Sequence, residues 1–493
     1  MKHDIDLKKQ SKTPYLDNYQ KYLDGKYTAF DVPGHHQGGI ITPFDKVFTH
    51  IIYEKDINCP EGMDNLLHPH ECIKEAQELY ALATNAQYAK FLVNGSTSGI
   101  LVMLLSVLKA HDKIILPRNV HKSVINGLIL SGAFPIFVMP EIDKETEIVN
   151  QISFEKWKET IDNNLDAKAI FIINPTYFGA TADLKKIVEY AHEKNIIVLV
   201  DEAHGSHFYF NSTLPITAMD ANADMATLSI HKTGGSLTQS SLLLIKSTLV
   251  DIEDVNNAFN LITTTSPSNI LLASLDASRK FLVFKGEKEI KKAIDLCAKA
   301  KDLINKIDGF RVLDKEYFLS HGCCDYDTTK LVIRIEKLAL NGFQVYKILQ
   351  KQYHIQIELA ETNVLLCLFT IGSKEEDIKV LVNALKEISK VYYKGGKRER
   401  KLQPFNFSKS VLRPRSAYQG KEVKVKLEES LGYISKEMIM IYPPGIPLII
   451  PGEIITKEIL KQLDIYRKKK VNIISKYTNC DFVSCVAEKD DEN

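Results

Sequence analysis

Between about residues 90 and 250, short runs of consecutive apolar residues alternate with longer stretches in which apolar positions recur every three or four. The runs at 91–93, 113–116, 136–139, 169–173, 196–200, 225–229 and 242–245 are too short for helices and read as buried strands. The stretches at 99–110, 123–131, 154–163 and 184–194 read as helices between them. This alternation predicts an α/β layer whose mostly parallel sheet is covered on both faces. In such a sheet, ligands bind beyond the carboxyl ends of the strands. Ser96, Asp201 and Lys232 each follow directly after an apolar run, and His121 follows another by a few residues, so all four are expected at one edge of the sheet.

After about residue 270 the pattern changes to longer charged helices, beginning with 273–300, and to strands at 330–335 and 364–369, which predicts a smaller α+β domain. The charged run YYKGGKRERKLQP, 392–404, reads as a linker to a compact tail domain. That tail opens on the apolar stretch 438–453, where Pro443, Pro444, Pro447 and Pro451 oppose helix and favour extended or turn backbone. At the other end, Tyr15, Leu16, Tyr19, Tyr22 and Leu23 fall at helical spacing and predict an amphipathic arm lying on the body of the protein or on a partner subunit. The expected division is therefore an arm over 1–30, a large domain over 31–270, a small domain over 271–395 and a C-terminal domain over 396–493.

A chain of 493 residues, 45% hydrophobic and 25% charged, has enough apolar material for a sizeable core. Its formal net charge of +1 gives no reason to expect nucleic acid or a membrane surface as partner. Eight cysteines without a CxxC pair read as reduced and mostly structural. The charged start MKHDIDLKKQ lacks a signal-type apolar core, and a cytoplasmic enzyme is the simplest expectation.

The chemistry concentrates in two places. The buried run 196–200 ends on Asp201, and a buried carboxylate is costly without a cationic partner. About thirty residues later TLSIHKTGG, 227–235, sets Lys232 among Ser229, His231, Thr233 and two glycines, on an expected tight turn at a strand end. An acid at one strand end and a lysine at another are what pyridoxal 5'-phosphate requires, a partner for its ring nitrogen and an amine for its aldehyde. Gly95, Ser96, Thr97 and Ser98 follow a strand and open an apolar helix, so their amides and hydroxyls suit an anion; an ordinary helix cap is the plainer alternative. His204 joins the site if the backbone coils after Asp201. His35 and His36 in DVPGHHQGG have no carboxylate or cysteine at ligand spacing, so a rim or interface loop is expected there rather than a metal site.

Seven motifs in order, VNGSTSG (93–99), RNVHKS (118–123), NPTYFG (174–179), DEAHGSH (201–207), SIHKT (229–233), TTSPS (264–268) and YPPGIP (442–447), resemble those of the pyridoxal-phosphate-dependent ornithine/lysine/arginine decarboxylases, of the aspartate-aminotransferase fold type. The likeness runs from PGHHQG (33–38) to IPLIIPGE (446–453). It implies a three-layer large domain, a smaller α+β domain and a compact C-terminal domain. It implies that Lys232 carries the cofactor, that Asp201 keeps the pyridine nitrogen protonated, and that His121 stacks on the ring. By the same resemblance Gly95 to Ser98, Ser229 and His231 hold the phosphate, and Ala203 and His204 line the site. Thr264, Ser266 and Ser268 would approach the phosphate of a neighbouring subunit, which makes a homodimer the smallest complete unit. The implied reaction is decarboxylation of a small basic amino acid in polyamine metabolism. Arginine stands ahead of lysine and ornithine because the chain resembles the short form of the family. An aminotransferase or β-eliminating lyase of the same fold is the alternative, and a clamp on the substrate carboxylate by Arg334 stays open. A non-catalytic regulator is disfavoured by the intact Lys232 and Asp201.

Overall fold

The computed structural model describes residues 5–40, 42–48, 51–395, 407–441, 446–468 and 472–487. The chain forms two compact units, each discontinuous in sequence: Met1–Ser106 with Leu199–Lys292, and Val107–Val198 with Ala293–Asn493. The central strands are β1 (Tyr88–Leu92), β2 (Lys113–Pro117), β3 (Phe134–Val138), β4 (Ala167–Ile173), the two-residue β5 (Ala180–Thr181), β6 (Ile197–Asp201), β7 (Met225–Leu228) and β8 (Ser241–Ile245). In the first unit they lie in the order β1-β8-β7-β6, with β6 and β7 parallel and both pairs involving β8 antiparallel. In the second unit the order is β4-β2-β3, all parallel. Every residue of β6, β7 and β8 is buried, as expected for strands covered on both faces, each large aliphatic side chain contributing about 1.5–3 kcal/mol of burial.

The expected α/β layer is present, with two local differences. The helix expected at 99–110 runs over Gly95–Val107. Gly95, at φ +68°, turns the chain out of β1, and Ser96 to Ser98 become its first turn. A Cβ at Gly99 would lie 2.3 Å from Thr227 Oγ1, so glycine is what lets this helix start pack onto β7. At the other end Asp112 Oδ2 accepts from Lys109 N at 2.7 Å and stops the helix short of residue 110. Lys232 lies on a single helical turn, Ile230–Thr233, instead of a tight turn.

The N-terminal arm forms helices Leu7–Gln10 and Pro14–Asp24 and lies on its own chain. Gln10 Nε2 donates to Leu79 O at 2.8 Å, Tyr15 N donates to Asp276 Oδ2 at 3.0 Å, and the Tyr15 hydroxyl bonds Asn269. Asn269 begins a 36-residue helix, Asn269–Ile304, longer at both ends than the expected 273–300.

In the second unit, β9 (Phe310–Leu313), β11 (Lys330–Ile335), β12 (Leu359–Ala360) and β13 (Val364–Leu368) form an antiparallel sheet in the order β12-β13-β11-β9, while β10 (Asp325–Tyr326) pairs with β5. Helices Gly342–Tyr353 and Glu375–Tyr392 bury Val345, Leu349, Leu381 and Leu385 with Leu331, Ile333 and Leu365. Further on, β14 (Glu422–Lys426) pairs with β18 (Phe482–Val486), and β15 (Ile439–Ile441) lies between β16 (Pro447–Ile449) and β17 (Ile473–Ile474). Their core includes Ile439, Ile449, Ile459, Leu463 and Val483. Pro447 opens β16 and Pro451 sits in the following turn, as their chemistry requires. Pro443, Pro444 and most of YPPGIP, together with 396–404 of the expected linker, lie outside the described residues. All eight cysteines are free thiols.

Candidate active site

Parallel pairing of β6 with β7 sets Asp201 opposite Thr227, and the chain past each strand end carries the reactive groups. Asp201 is buried, and its Oδ1 accepts from Ala203 N at 3.1 Å. Burial pushes its carboxyl above the ordinary carboxylate range, against the Ala203 amide and the charge of Lys232, which pull it down. The backbone does coil after Asp201: Gly205 N donates to Glu202 O at 2.9 Å, and this turn brings His204 Nε2 to 2.9 Å from Lys232 Nζ. His204 is therefore in direct contact with the lysine, closer than the sequence indicated. A second tie holds the same two segments together, Ser206 Oγ to Thr233 Oγ1 at 2.6 Å. Neither spacing nor composition marks that pair. Glu202 anchors the loop from behind, accepting from the Tyr209 hydroxyl at 2.6 Å and from Ala218 N at 3.0 Å.

The helix Gly95–Val107 presents its N-terminus beside this lysine turn. Ser96 Oγ lies 2.8 Å from Ser229 Oγ, which joins the two serine motifs. Gly95 N donates to Gln239 O at 2.7 Å and Ser98 Oγ donates to Gly95 O at 2.8 Å. The Gly95 amide is thus committed, and the first-turn amides of Ser96, Thr97 and Ser98 carry the positive end of the helix dipole. His231 Nδ1 lies 2.9 Å from Ser240 O; a carbonyl only accepts, so Nδ1 carries the proton. Burial lowers the His231 pKa, the Ser240 carbonyl opposes this, and the Lys232 charge adds to the lowering, which favours a neutral ring.

His121 belongs to the second unit, where it caps helix Lys122–Ser131: its Nδ1 accepts from Ser123 N at 3.3 Å and lies 2.8 Å from Ser123 Oγ. Thr264 and Ser266 are exposed, with Ser266 N donating to Thr264 Oγ1 at 3.1 Å. Thr264 also borders a cleft of about 250 Å³ whose walls include Asn94, Ser98 and Ile262. Arg334 is engaged by carboxylates, with Glu145 at 2.9 Å and Glu336 at 3.8 Å. His35 meets Asp56 at 3.3 Å, a carboxylate too distant in sequence for spacing to reveal. Among the described residues no group of three or more potential metal ligands occurs, and no helix is long and apolar enough to cross a membrane.

Comparison with known proteins gives one consistent set of relatives. Residues 13–377 match the family described as Orn/Lys/Arg decarboxylase, major domain, and residues 400–472 match its C-terminal domain. An arginine decarboxylase of Halalkalibacterium halodurans is 40% identical over 454 residues, covering 92% of each chain. The solved structure of the constitutive lysine decarboxylase of Escherichia coli aligns over 97% of this chain and 82% of that one, with TM-score 0.81 and 20% identity. Alanine–glyoxylate aminotransferase from Nostoc aligns over 66% of this chain and 88% of that one, with TM-score 0.52 and 15% identity.

Proposed function

Because the chain belongs to the Orn/Lys/Arg decarboxylase family, we propose that it removes the α-carboxylate of arginine as CO₂ and releases agmatine. The observation that carries the substrate choice is the 40% identity, over nearly the whole of both chains, to a protein named arginine decarboxylase. Lysine and ornithine are the runners-up within the same chemistry. We read the protein further as a cytoplasmic homodimer or larger homo-oligomer in polyamine metabolism, and keep the four-part division at 30, 270 and 395 as our own. The separate core of residues 425–485 supports its last part.

The residues fit pyridoxal 5'-phosphate. A buried carboxylate with one amide donor suits a protonated ring nitrogen, a partly buried lysine suits an aldehyde, and a helix N-terminus with two facing serines suits a phosphate. When bound, the cofactor supplies an electron-accepting ring that takes up the pair released as CO₂ leaves Cα. The chain's own groups do the rest. Asp201 holds a proton on the ring nitrogen by pairing with it, aided by Ala203 N, which fixes the carboxylate. Lys232 Nζ is the attachment point. His204 Nε2 takes a proton from Nζ across their 2.9 Å contact, leaving the amine neutral and nucleophilic. Ser96, Thr97, Ser98, Ser229 and His231 Nε2 would face the phosphate, with Gly95 shaping the turn, and the family resemblance assigns the ring face to His121.

Release of labelled CO₂ from L-arginine, L-lysine and L-ornithine by the holoenzyme tests this reading. We expect the highest kcat/KM with arginine and one amine per CO₂. A keto acid in place of the amine would replace the decarboxylase with the aminotransferase alternative.

A further inference from the structure

Two motifs stand apart from the lysine turn, RNVHKS at the end of β2 and IPLIIPGE around β16, and the structure joins them through a fully buried ion pair. Arg118 and Glu453 both have 0% exposed side chains. Arg118 Nε donates to Glu453 Oε1 at 2.6 Å and Nη2 to Oε2 at 2.7 Å, a two-pronged fork. Nη1 donates to Pro447 O at 3.0 Å, and the guanidinium lies 4.7 Å from the centre of the Phe407 ring. Glu453 is held in turn, since Oε2 also accepts from Ile450 N at 3.0 Å and Ser435 N donates to its carbonyl at 2.8 Å. Its turn closes on Gly452, at φ +94°, where a Cβ would lie 2.2 Å from Leu412 O. At the other end, Arg118 N donates to Val138 O at 3.1 Å, and three residues later His121 caps its helix.

We propose that Glu453 is a positioning residue: through Arg118 it fixes the loop 118–121, and with it the ring of His121, the residue that the family resemblance assigns to the cofactor. The cap fixes the ring relative to its own helix, because Nδ1 is taken up by Ser123. What the cap leaves free is the attitude of the loop entering that helix, and the Arg118 fork, with donors in one plane reaching a carboxylate and a carbonyl, sets it. A plainer purpose, stability alone, would be served equally by an apolar pair of similar volume, since a buried ion pair is often replaceable in that way. This inference rests on the reading of His121 as a cofactor-facing residue.

The test uses full-length chain with Glu453→Gln, Arg118→Met with Glu453→Met together, His121→Gln, and Glu453→Gln with His121→Gln together. Each is measured for cofactor dissociation constant and melting temperature, and the parent and the two variants that keep His121 also for its ring nitrogen NMR signals in ¹⁵N-histidine-labelled protein. The double methionine variant guards against an unpaired buried charge that prevents folding. We expect it to melt near the parent, to hold the cofactor on the order of tenfold more weakly, and to shift the His121 signals. In the His121→Gln background the affinity loss from Glu453→Gln should vanish, because both act through one ring. Unchanged His121 signals together with parental cofactor affinity in the methionine variant would overturn the proposal. Should His121→Gln alone leave affinity untouched, the reading of His121 fails, while the ring signals still decide whether the pair fixes the loop.

Discussion

Two buried aspartates in the same unit are treated in opposite ways. Asp64 accepts from five backbone amides, those of Asn65, His70, Glu71, Ile73 and Lys74, at 2.8–3.4 Å, and so caps helix Cys72–Ala83, where Glu71 at the N-cap position makes no side-chain cap. Asp201 accepts from one amide among the described residues and otherwise feels the charge of Lys232. Burial alone therefore does not distinguish a structural carboxylate from a chemical one. The number of backbone donors does: both Asp64 oxygens are taken up by amides, with the exposed His70 ring beside one of them at 3.2 Å, whereas Asp201 keeps an oxygen for a buried cation.

The largest test of that contrast removes the lysine. Lys232→Ala should keep the fold and abolish turnover, a loss of at least about 10⁴-fold, since nothing else at the site can carry the cofactor. Borohydride reduction of the parent holoenzyme followed by peptide mapping provides the direct check: the pyridoxyl label belongs on Lys232, and a label on another lysine would end the assignment.

Next come the two aspartates themselves. Asp201→Asn should retain cofactor but lose roughly a thousandfold in kcat, as expected when the group facing developing charge is removed. Its effect on stability should have the opposite sign from that of Asp64→Asn. The Asp201 carboxyl is raised by burial, so in the cofactor-free protein its charged form opposes folding, and the stability it contributes below the unfolded carboxylate pKa is lost as pH rises through the raised folded pKa. At pH 7 the cofactor-free Asp201→Asn protein should therefore be at least as stable as its parent, and the gain should shrink as pH falls through the raised folded pKa and be gone below the unfolded carboxylate value of about 4. Asp64→Asn instead turns amide donors toward amides and should cost about 2–3 kcal/mol at pH 7. Denaturant melts of the three cofactor-free proteins across that range decide it; parallel losses for both variants would erase the distinction.

A smaller effect is expected at His204. His204→Gln removes the imidazole that meets Lys232 Nζ, and the rate of cofactor incorporation into the cofactor-free protein should fall about a hundredfold at pH 7, with its pH dependence moved upward. Stopped-flow reconstitution over pH 6–10 reads both. An unmoved profile would make the contact one of packing alone.

What the sequence revealed, and what it hid, follows the range of the interactions. The strands are legible because runs such as 197–200 have a single way to be buried, and of the groups expected at their ends Ser96 meets Ser229 at 2.8 Å while Lys232 meets His204 at 2.9 Å. Helix ends are less legible: Gly95 and Asp112 decide where that helix begins and stops, through a backbone angle and a side-chain acceptor that periodicity does not encode. His204 was within reach of the sequence only as a conditional reading, because its contact depends on the coil of residues 202–205. The Arg118–Glu453 pair was beyond it: both residues lie in motifs, RNVHKS and IPLIIPGE, but they are 335 residues apart and nothing local in either motif names the other as its partner.

The smallest expected effect concerns the loop 264–268, where the contrast with Asp201 is sharpest. Its hydroxyl-bearing residues Thr264 and Ser266 are exposed, and Thr264 Oγ1 accepts from Ser266 N, a local turn of the kind any Ser/Thr-rich connector makes. The family resemblance gives these groups to the phosphate of a neighbouring subunit. If they serve it, cofactor binding and subunit association are linked, because a ligand bound more tightly by the assembled state stabilises that state by mass action. The cofactor-free protein should then dissociate at a higher concentration than the holoprotein. Ser266→Ala should raise the cofactor dissociation constant about fivefold, the worth of one hydrogen bond, while reduction still labels Lys232. Sedimentation of both forms over a dilution series separates the two readings. Equal dissociation constants, with unaltered cofactor affinity in the variant, would leave the loop a connector and confine the site's anion contacts to the helix Gly95–Val107 and the lysine turn.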